Sequence, residues 1–524
     1  MKRTKKQAPP TTDVAHDLLV EPAFRVRRGG MSEVLTLPGV LAALGTKEPI
    51  SFAELQPHQT HPWHAFLVQL AAIALHRAGE ADPKRSEDEW RALLLALTDG
   101  KHEPWCLVVP DVSQPAFMQP PIPEGSIDVL KREIVTPDDL DVLVTAKNHD
   151  VKISRLHNPS VAHWAYALLS LQTAQGFLGA GNYGIARMNG GFGNRPCVSL
   201  APDPSWPARF RRDVAALIAS RDAVVDGYGY RAETGVALTW LAAWDGKKSL
   251  ALSELDPHFI EICRRIRLQF ADRSIRARAG SSKAARITMT NEGGATGDAW
   301  TPIHRTDGEV LTLGRSGFRY DRLSELLLAG DWNGGAAQAP QSNDPEEMEL
   351  RAWALVRGQG KTEGLHERRL RIPKRVRMKL GRAIEREELS QRAKRWVDTA
   401  AQARLSVLKP SLCALLQGAP EKLNFKDERP QRWLSRFDKR VDAMFFPALW
   451  DSADATGSED ADQRWVDALE REARAVLNEA IGETPLPTAR RYRAIAAAER
   501  VFGGAWANKL GTTLHAPEPS QRSG

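Results

Sequence analysis

The chain has 524 residues, 42% of them hydrophobic and 26% charged, with a net charge of +7. At roughly 100–200 residues per domain this length makes room for two to four domains, and no run approaches the ~18 uninterrupted apolar residues of a membrane span. Four cysteines, Cys106, Cys197, Cys263 and Cys413, stand far apart without a CxxC pair. That excludes a ribbon-type zinc site and fits isolated core residues kept reduced in a cytoplasm.

Residues Met1 to Pro10 are basic with no apolar segment behind them, so residues 1–14 are expected to form a disordered tail and not a secretory signal. Short strands follow at Leu18–Val20 and Phe24–Val26, and Val34–Leu37 returns as a hairpin after a turn at Arg28-Gly29-Gly30. The spacing predicts a helix over Pro62–Gly79, with Phe66, Leu67, Leu70, Ile73 and Ala74 on a broad apolar face. A helix over Ser160–Ala174 leads into a glycine-rich run from Gly176 to Gly193, and another helix covers Trp206–Ser220. Arg286–Thr290 and Val310–Leu313 look β-like, Gly334–Pro345 an exposed loop, and Glu346–Leu355 a helix. After Pro373 nearly everything to about Leu510 forms helix, with turns at Lys409-Pro410, Gly418–Pro420, Asp451–Asp460 and Gly482–Pro487. Trp465, Leu469, Ala473, Val476 and Ala480 follow helical spacing, so one stripe faces the core of a helical bundle.

The positive charge is clustered. Arg264, Arg265, Arg267, Arg273, Arg276, Arg278, Lys283 and Arg286 are opposed only by Asp272, and a second cluster runs through Arg368, Arg369, Arg371, Lys374, Arg375, Arg377, Lys379 and Arg382. Such clusters neutralise phosphates and release counterions, the main source of sequence-independent affinity for nucleic acid. A solvated helix face or a protein-binding surface is the plainer reading of either cluster alone.

Catalytic and cofactor motifs fail on inspection. Gly360-Lys361-Thr362 invites a P-loop, but the motif needs a glycine where Leu355 stands, and a preceding strand. A tight hairpin tip suits Gly358, Gly360 and Gly364 better. His58, His61 and His64 are three apart, poorly placed for one metal on a helix interrupted at Pro62, and suit a loop of capping or surface histidines. The glycine run follows a helix where a dinucleotide fingerprint follows a strand. It suits close approach of backbone to a bulky partner, or an irregular loop. No catalytic residue, metal or cofactor is expected. Open alternatives are a nucleic-acid-processing enzyme whose site converges only in the fold, and a basic scaffold for acidic proteins.

Six short segments, in order, resemble the CasA family, the large subunit of the type I-E CRISPR surveillance complex Cascade. They are Asp17-Leu-Leu-Val-Glu-Pro-Ala-Phe-Arg-Val26, Gln114-Pro-Ala-Phe-Met-Gln119, Ala174-Gln-Gly-Phe-Leu-Gly-Ala-Gly181, Ala299-Trp-Thr-Pro-Ile303, Gly364-Leu-His-Glu-Arg-Arg369 and Leu423-Asn-Phe425. The resemblance implies an α+β fold, with a large mixed α/β domain over residues 15–372, a four-helix bundle over 373–512 and a disordered tail over 513–524. It implies a cytoplasmic, non-enzymatic subunit that recognises the PAM in double-stranded DNA, helps open the duplex for guide pairing and docks a helicase–nuclease. Its partners would be the other Cascade subunits, CRISPR RNA and target DNA, and no membrane.

By the same resemblance, Gly176, Phe177, Leu178 and Gly179 match a loop that approaches the PAM. Lys283 or Arg286 would supply a PAM-contacting cation, and Gln359, Gly360, Lys361, Thr362 and Glu363 would form a wedge hairpin. Lys147, Asn148, His149 and Asp150 fall where the family has a loop near the PAM and the guide's 5′ handle. Arg368, Arg369, Arg375 and Arg377 are candidates for phosphate contact. Members of the family with cysteine pairs differ from this chain, and Leu178 and Ala180 stand where more glycines are usual.

Overall fold

The computed structural model describes residues 16–142, 158–190, 195–271, 274–288, 293–341, 344–345, 347–358, 361–453, 458–485 and 488–511. The chain divides into two compact units, Met1–Gly317 with Asp331–Arg371, and Phe318–Gly330 with Ile372–Gly524.

The first unit opens with β1 (Phe24–Arg28) and β2 (Met31–Leu35), then α1 (Leu37–Gly45) and β3 (Ile50–Phe52). Gly29 and Gly30 join β1 to β2 with φ of +56° and +82°, the left-handed pair that a two-residue hairpin loop demands. Helix α2 (Thr60–Arg77) is buried along nearly its whole length, as a helix apolar on every side must be. Around it lie α3 (Glu87–Ala96), β4 (Arg132–Ile134), α4 (Pro137–Leu140), α5 (Val161–Ala174), β5 (Cys197–Ala201) and α6 (Trp206–Tyr228). Trp63 of α2 packs against Phe24, Phe66 and Tyr166 at ring separations of 4.9, 5.6 and 5.1 Å, burial that stabilises by about 2–3 kcal/mol.

The rest of the unit is small sheets. β6 (Val236–Leu238) pairs with β7 (Leu255–Ile260) in parallel. β8 (Arg265–Ala271) and β9 (Ser274–Gly280) pair antiparallel, with β4 on the other edge of β9. β10 (Ile303–His304) pairs with β11 (Trp332–Asn333). The last sheet has the order β13-β12-β5, built from β12 (Met348–Gly358) and β13 (Lys361–Ile372) with β5 antiparallel to β12.

Buried ion pairs link distant segments: Arg195 to Asp298 at 2.6 Å, Arg187 to Glu261 at 2.8 Å, Arg221 to Asp256 at 2.8 Å and Arg212 to Asp344 at 2.6 Å. Two of the short motifs are clamps. Gln119 is wholly buried, donating to the Leu107 and Phe117 carbonyls and accepting from the Leu268 amide. Trp300 donates to Asp213 at 3.0 Å.

The second unit holds α7 (Tyr320–Leu328), α8 (Lys374–Leu380), α9 (Ala383–Gln402), α10 (Lys409–Leu416), α11 (Gln431–Ser452), α12 (Ser458–Glu483) and α13 (Thr488–Lys509). A π-helical stretch, Ala403–Leu408, fuses α9 to α10, so four long helical rods form the bundle among the described residues. Trp465, Leu469, Ala473, Val476 and Ala480 are all buried, as their spacing predicts. Trp465 stacks on Trp396 at 4.8 Å and an interplanar angle of 5°.

Several expectations are corrected. In place of the helix expected over Glu346–Leu355, Met348–Gly358 is strand, because pairing with β5 overrides its helix-forming residues. The P-loop still fails, on Leu355 and on the strand, β13, that follows where a helix is required. Among the described residues, Arg286–Thr288 and Val310–Leu313 contribute only the isolated bridges Leu250↔Ile287 and Ile303↔Val310, and Met289 and Thr290 lie outside the described residues. Leu18 and Leu19 lie in a turn beside an isolated bridge at Asp17.

Within Gly334–Pro345 Ala337 is fully buried, and Arg212 grips the Ala337 and Ala339 carbonyls, so the segment is packed and not merely exposed. Lys409-Pro410 is not a turn, since the preceding π turn gives Pro410 a place in the first turn of α10. Nor are the three histidines surface groups. All are buried, with His58 2.7 Å from Asp141, His64 2.9 Å from Asp213, and His61 stacked on Trp353.

Candidate nucleic-acid interface

Helix α5 ends in a pinned turn. Gln172 donates to the carbonyls of Met118 and Arg264, both at 3.0 Å, and accepts from the amides of Cys263 and Arg264 at 2.9 and 2.8 Å. Beyond it the Leu178 amide donates to Asn182 and the Asn182 amide to Gly179, each at 3.0 Å, closing a small loop. Gly179 and Gly181 have φ of +103° and +85°, a region costly for any residue with a Cβ. The loop is braced from behind, by the Ser282 amide on the Gly181 carbonyl at 3.0 Å and the Tyr183 hydroxyl on the Lys283 carbonyl at 3.1 Å.

Open space and tight packing divide the glycines. A Cβ at Gly184 would lie 2.7 Å from the Gly176 backbone, whereas one at Gly179 would meet nothing within 4 Å. Leu178 is 39% exposed beside it. The loop therefore presents bare backbone at Gly179, flanked by the exposed Leu178 and Ala180. Phe177 instead packs inward, toward Ile185, Met188 and Cys263.

Lys283, exposed, belongs to the segment that braces this loop. Arg286 does not face outward: it is buried, donating to the Thr239 and Ala242 carbonyls at 2.7 and 2.8 Å and to Ala243 at 3.3 Å. Burial pulls its pKa down to about 10, so it stays charged but is spent on backbone. The assignment of Arg286 to DNA is corrected on this ground.

The same correction applies to much of the first basic cluster. Arg264 donates to the carbonyls of Cys263 and Gly176, and Arg267 to those of Gln114, Val109 and Asp111. Arg265 lies 3.4 Å from Glu124 and Arg276 2.9 Å from Glu133. A guanidinium has five N–H donors and caps several carbonyls at once, so these arginines bind the chain to itself. The alternation of arginine with apolar residues through Arg265–Gly280 was the available signal, since period two means strand.

In the hairpin, β12 ends at Gly358 and β13 begins at Lys361. Gln359 and Gly360 lie outside the described residues, as does the side chain of Lys361. Thr362 is half-buried with its hydroxyl buried, and Glu363 pairs with Arg315 at 3.1 Å. Lys147, Asn148, His149 and Asp150 also lie outside the described residues.

Of the remaining arginines, Arg369 is exposed and Arg368 half-buried on β13. Arg375 pairs with Asp451 at 2.8 Å, an exposed pair, and Arg377 is half-buried on α8. Among the described residues no three His, Cys, Asp or Glu side chains converge as a metal site, and no helix is long and apolar enough to cross a membrane.

These features define an α+β protein of two units with a braced glycine loop and the neighbouring strands β12 and β13. No family model matches the sequence, and no curated protein matches it. Solved structures do. CRISPR-associated protein Cse1 from Acidimicrobium ferrooxidans is similar with a TM-score of 0.60 at 16% identity, over 95% of this chain and 99% of that one. CasA (Cse1) of Thermus thermophilus gives 0.59 at 15%, over 94% and 100%, and Cse1 of Thermobifida fusca 0.62 at 14%, over 94% and 97%. This chain has the Cse1/CasA fold.

Proposed function

We propose that this chain is the large subunit of a type I-E CRISPR RNA-guided surveillance complex. Its role is binding: it reads the PAM of double-stranded DNA, aids strand opening for guide pairing, and offers a docking surface to a helicase–nuclease. The observation that carries the reading is the likeness to Cse1 and CasA structures over nearly the full length of both chains. The loop geometry supports it. A groove edge can approach backbone at Gly179, where no side chain intervenes, with the Lys283 cation on the bracing segment. Sequence beyond the PAM is left to base pairing, as in other RNA-guided effectors.

The test is co-expression of the tagged chain with its neighbouring genes, then binding of the recovered particle to DNA with and without a PAM. Recovery with a small RNA of uniform length, and PAM-dependent binding that Gly179→Leu weakens far more than binding to random DNA, is the expected result. A lone chain without RNA, or equal loss on both DNAs, overturns the reading or its loop assignment respectively.

A further inference from the structure

One cavity of the first unit is built around guanidinium groups. Arg209 lies in the first turn of α6, is 6% exposed, and has its Nε buried without a partner. Among the described residues its guanidinium makes no hydrogen bond and no ion pair; it lies 5.6 Å from the centre of the Trp206 ring. That helix turn carries no acidic residue, so Arg209 also faces the positive end of the helix dipole.

Arg351, Arg368 and Arg369 line the same cavity. Burial first, then the charge of Arg351, draws the Arg209 pKa down to about 10; Asp213 pulls partly against them, Arg369 adds a smaller downward push and Glu349 a smaller upward one. None of the carboxylates nearby bonds to Arg209: Glu349 holds Arg351 at 2.6 Å, Asp213 accepts from His64 and Trp300 at Oδ2 while its buried Oδ1 has no hydrogen-bond partner, and Glu367 is an exposed residue of the rim. Neutral His61 lines the cavity too, with a buried Nε2 that has no partner. An unpaired buried cation costs several kcal/mol, and here other cations crowd it. The cavity measures about 60 Å³, room for a few waters at ~10–15 Å³ each, or for one tetrahedral oxyanion in their place.

We propose that this cavity is a phosphate-binding site, with Arg209 and Arg369 donating to the phosphate oxygens and the Nε2–H tautomer of His61 as a further donor. Arginine suits this role because its planar fork matches two oxygens at once. A free phosphate and a phosphodiester of a nucleic acid share the chemistry. The site rests on the local charge balance and stands independently of the Cascade reading.

The test is calorimetric titration of the full chain with inorganic phosphate against chloride at matched ionic strength, for wild type, Arg209→Gln and Arg369→Ala. Saturable binding by the wild type, weakened roughly tenfold or more in Arg209→Gln, is expected from the loss of a charge-assisted contact. Arg209→Gln should unfold at an equal or higher temperature than wild type in chloride, because the buried unpaired charge is gone. Should it fail to fold, Arg369→Ala, at an exposed position, carries the test with a severalfold loss. No saturable phosphate binding up to tens of millimolar, or equal binding by both variants and wild type, overturns the proposal. Displacement of bound phosphate by a short oligonucleotide without terminal phosphates assigns the site to a phosphodiester; no displacement assigns it to free phosphate.

Discussion

The Nη2 of Arg264 lies 2.9 Å from the carbonyl oxygen of Gly176, so an arginine that charge counting assigns to phosphate instead holds the first residue of the glycine loop. Its Nη1 takes the Cys263 carbonyl at 3.2 Å. Arg264→Ala leaves both buried carbonyls without that donor, and a lost hydrogen bond to a charged group costs about 2 kcal/mol. Hydrogen exchange should show the Leu178 and Asn182 amides losing protection relative to amides in α2. Unchanged protection in the loop would show that Gln172 and the Ser282 amide hold it without Arg264.

Lys283 and Arg286 are three residues apart and opposite in fate, one exposed and one buried. A lysine on a phosphate releases a counterion on binding, so Lys283→Ala should reduce the slope of log K against log salt by about 0.9. Arg286→Ala should leave that slope alone and lower the unfolding midpoint, because three carbonyls lose their donor. Salt titration of DNA binding separates the two. A slope unchanged in Lys283→Ala would remove that lysine from the interface.

Elements with strong local periodicity were legible from residue spacing: α2, α5, the β1–β2 hairpin and the stripe of α12 all follow the pattern of their apolar residues. What escaped depends on partners far away in sequence. Met348–Gly358 is made of good helix formers and becomes strand only by pairing with Cys197–Ala201. The basic cluster at Arg264–Arg286 shows charge density, but nothing local tells that carbonyls of Val109, Gln114 or Thr239 wait for it. Arg209 was missed for the same reason. Its neighbours Arg351 and Arg369 come from strands β12 and β13, far along the chain, and a single arginine near Trp206 carries no pattern of its own.

Burial holds His64 and His258 neutral, each with a pKa lowered to about 4, and pushes His61 well below its usual value. In the unfolded chain each takes a proton near pH 6.5. Between pH 6.5 and 4 the unfolded state therefore binds more protons, and stability falls as pH falls, by up to roughly 1.4 kcal/mol per pH unit for each histidine. Urea denaturation followed by a first-unit probe should show this loss over that window. His258→Gln should make the slope shallower; an identical slope would mean that His258 is already charged in the folded protein.

All four cysteines are buried free thiols. Burial raises Cys263 to about 11 and Cys106 to about 12, and pushes Cys197 and Cys413 up as well. The thiolate is the reactive form, so a thiol shifted to about 11 is ionised to roughly one part in a thousand at pH 8 by the logarithmic scale of acidity. Native labelling should then be slow and should follow opening of the surrounding structure. Three of the thiols report the first unit and Cys413 the second, so mass spectrometry of labelled peptides over a urea series reads the two units separately. Coincident labelling of Cys413 with the other three would show one cooperative transition. Labelling of Cys413 at a distinct urea concentration would show the helical unit opening on its own. Fast labelling of Cys263 without urea would contradict the packing of its sulfur against the Leu171 carbonyl, 3.3 Å away.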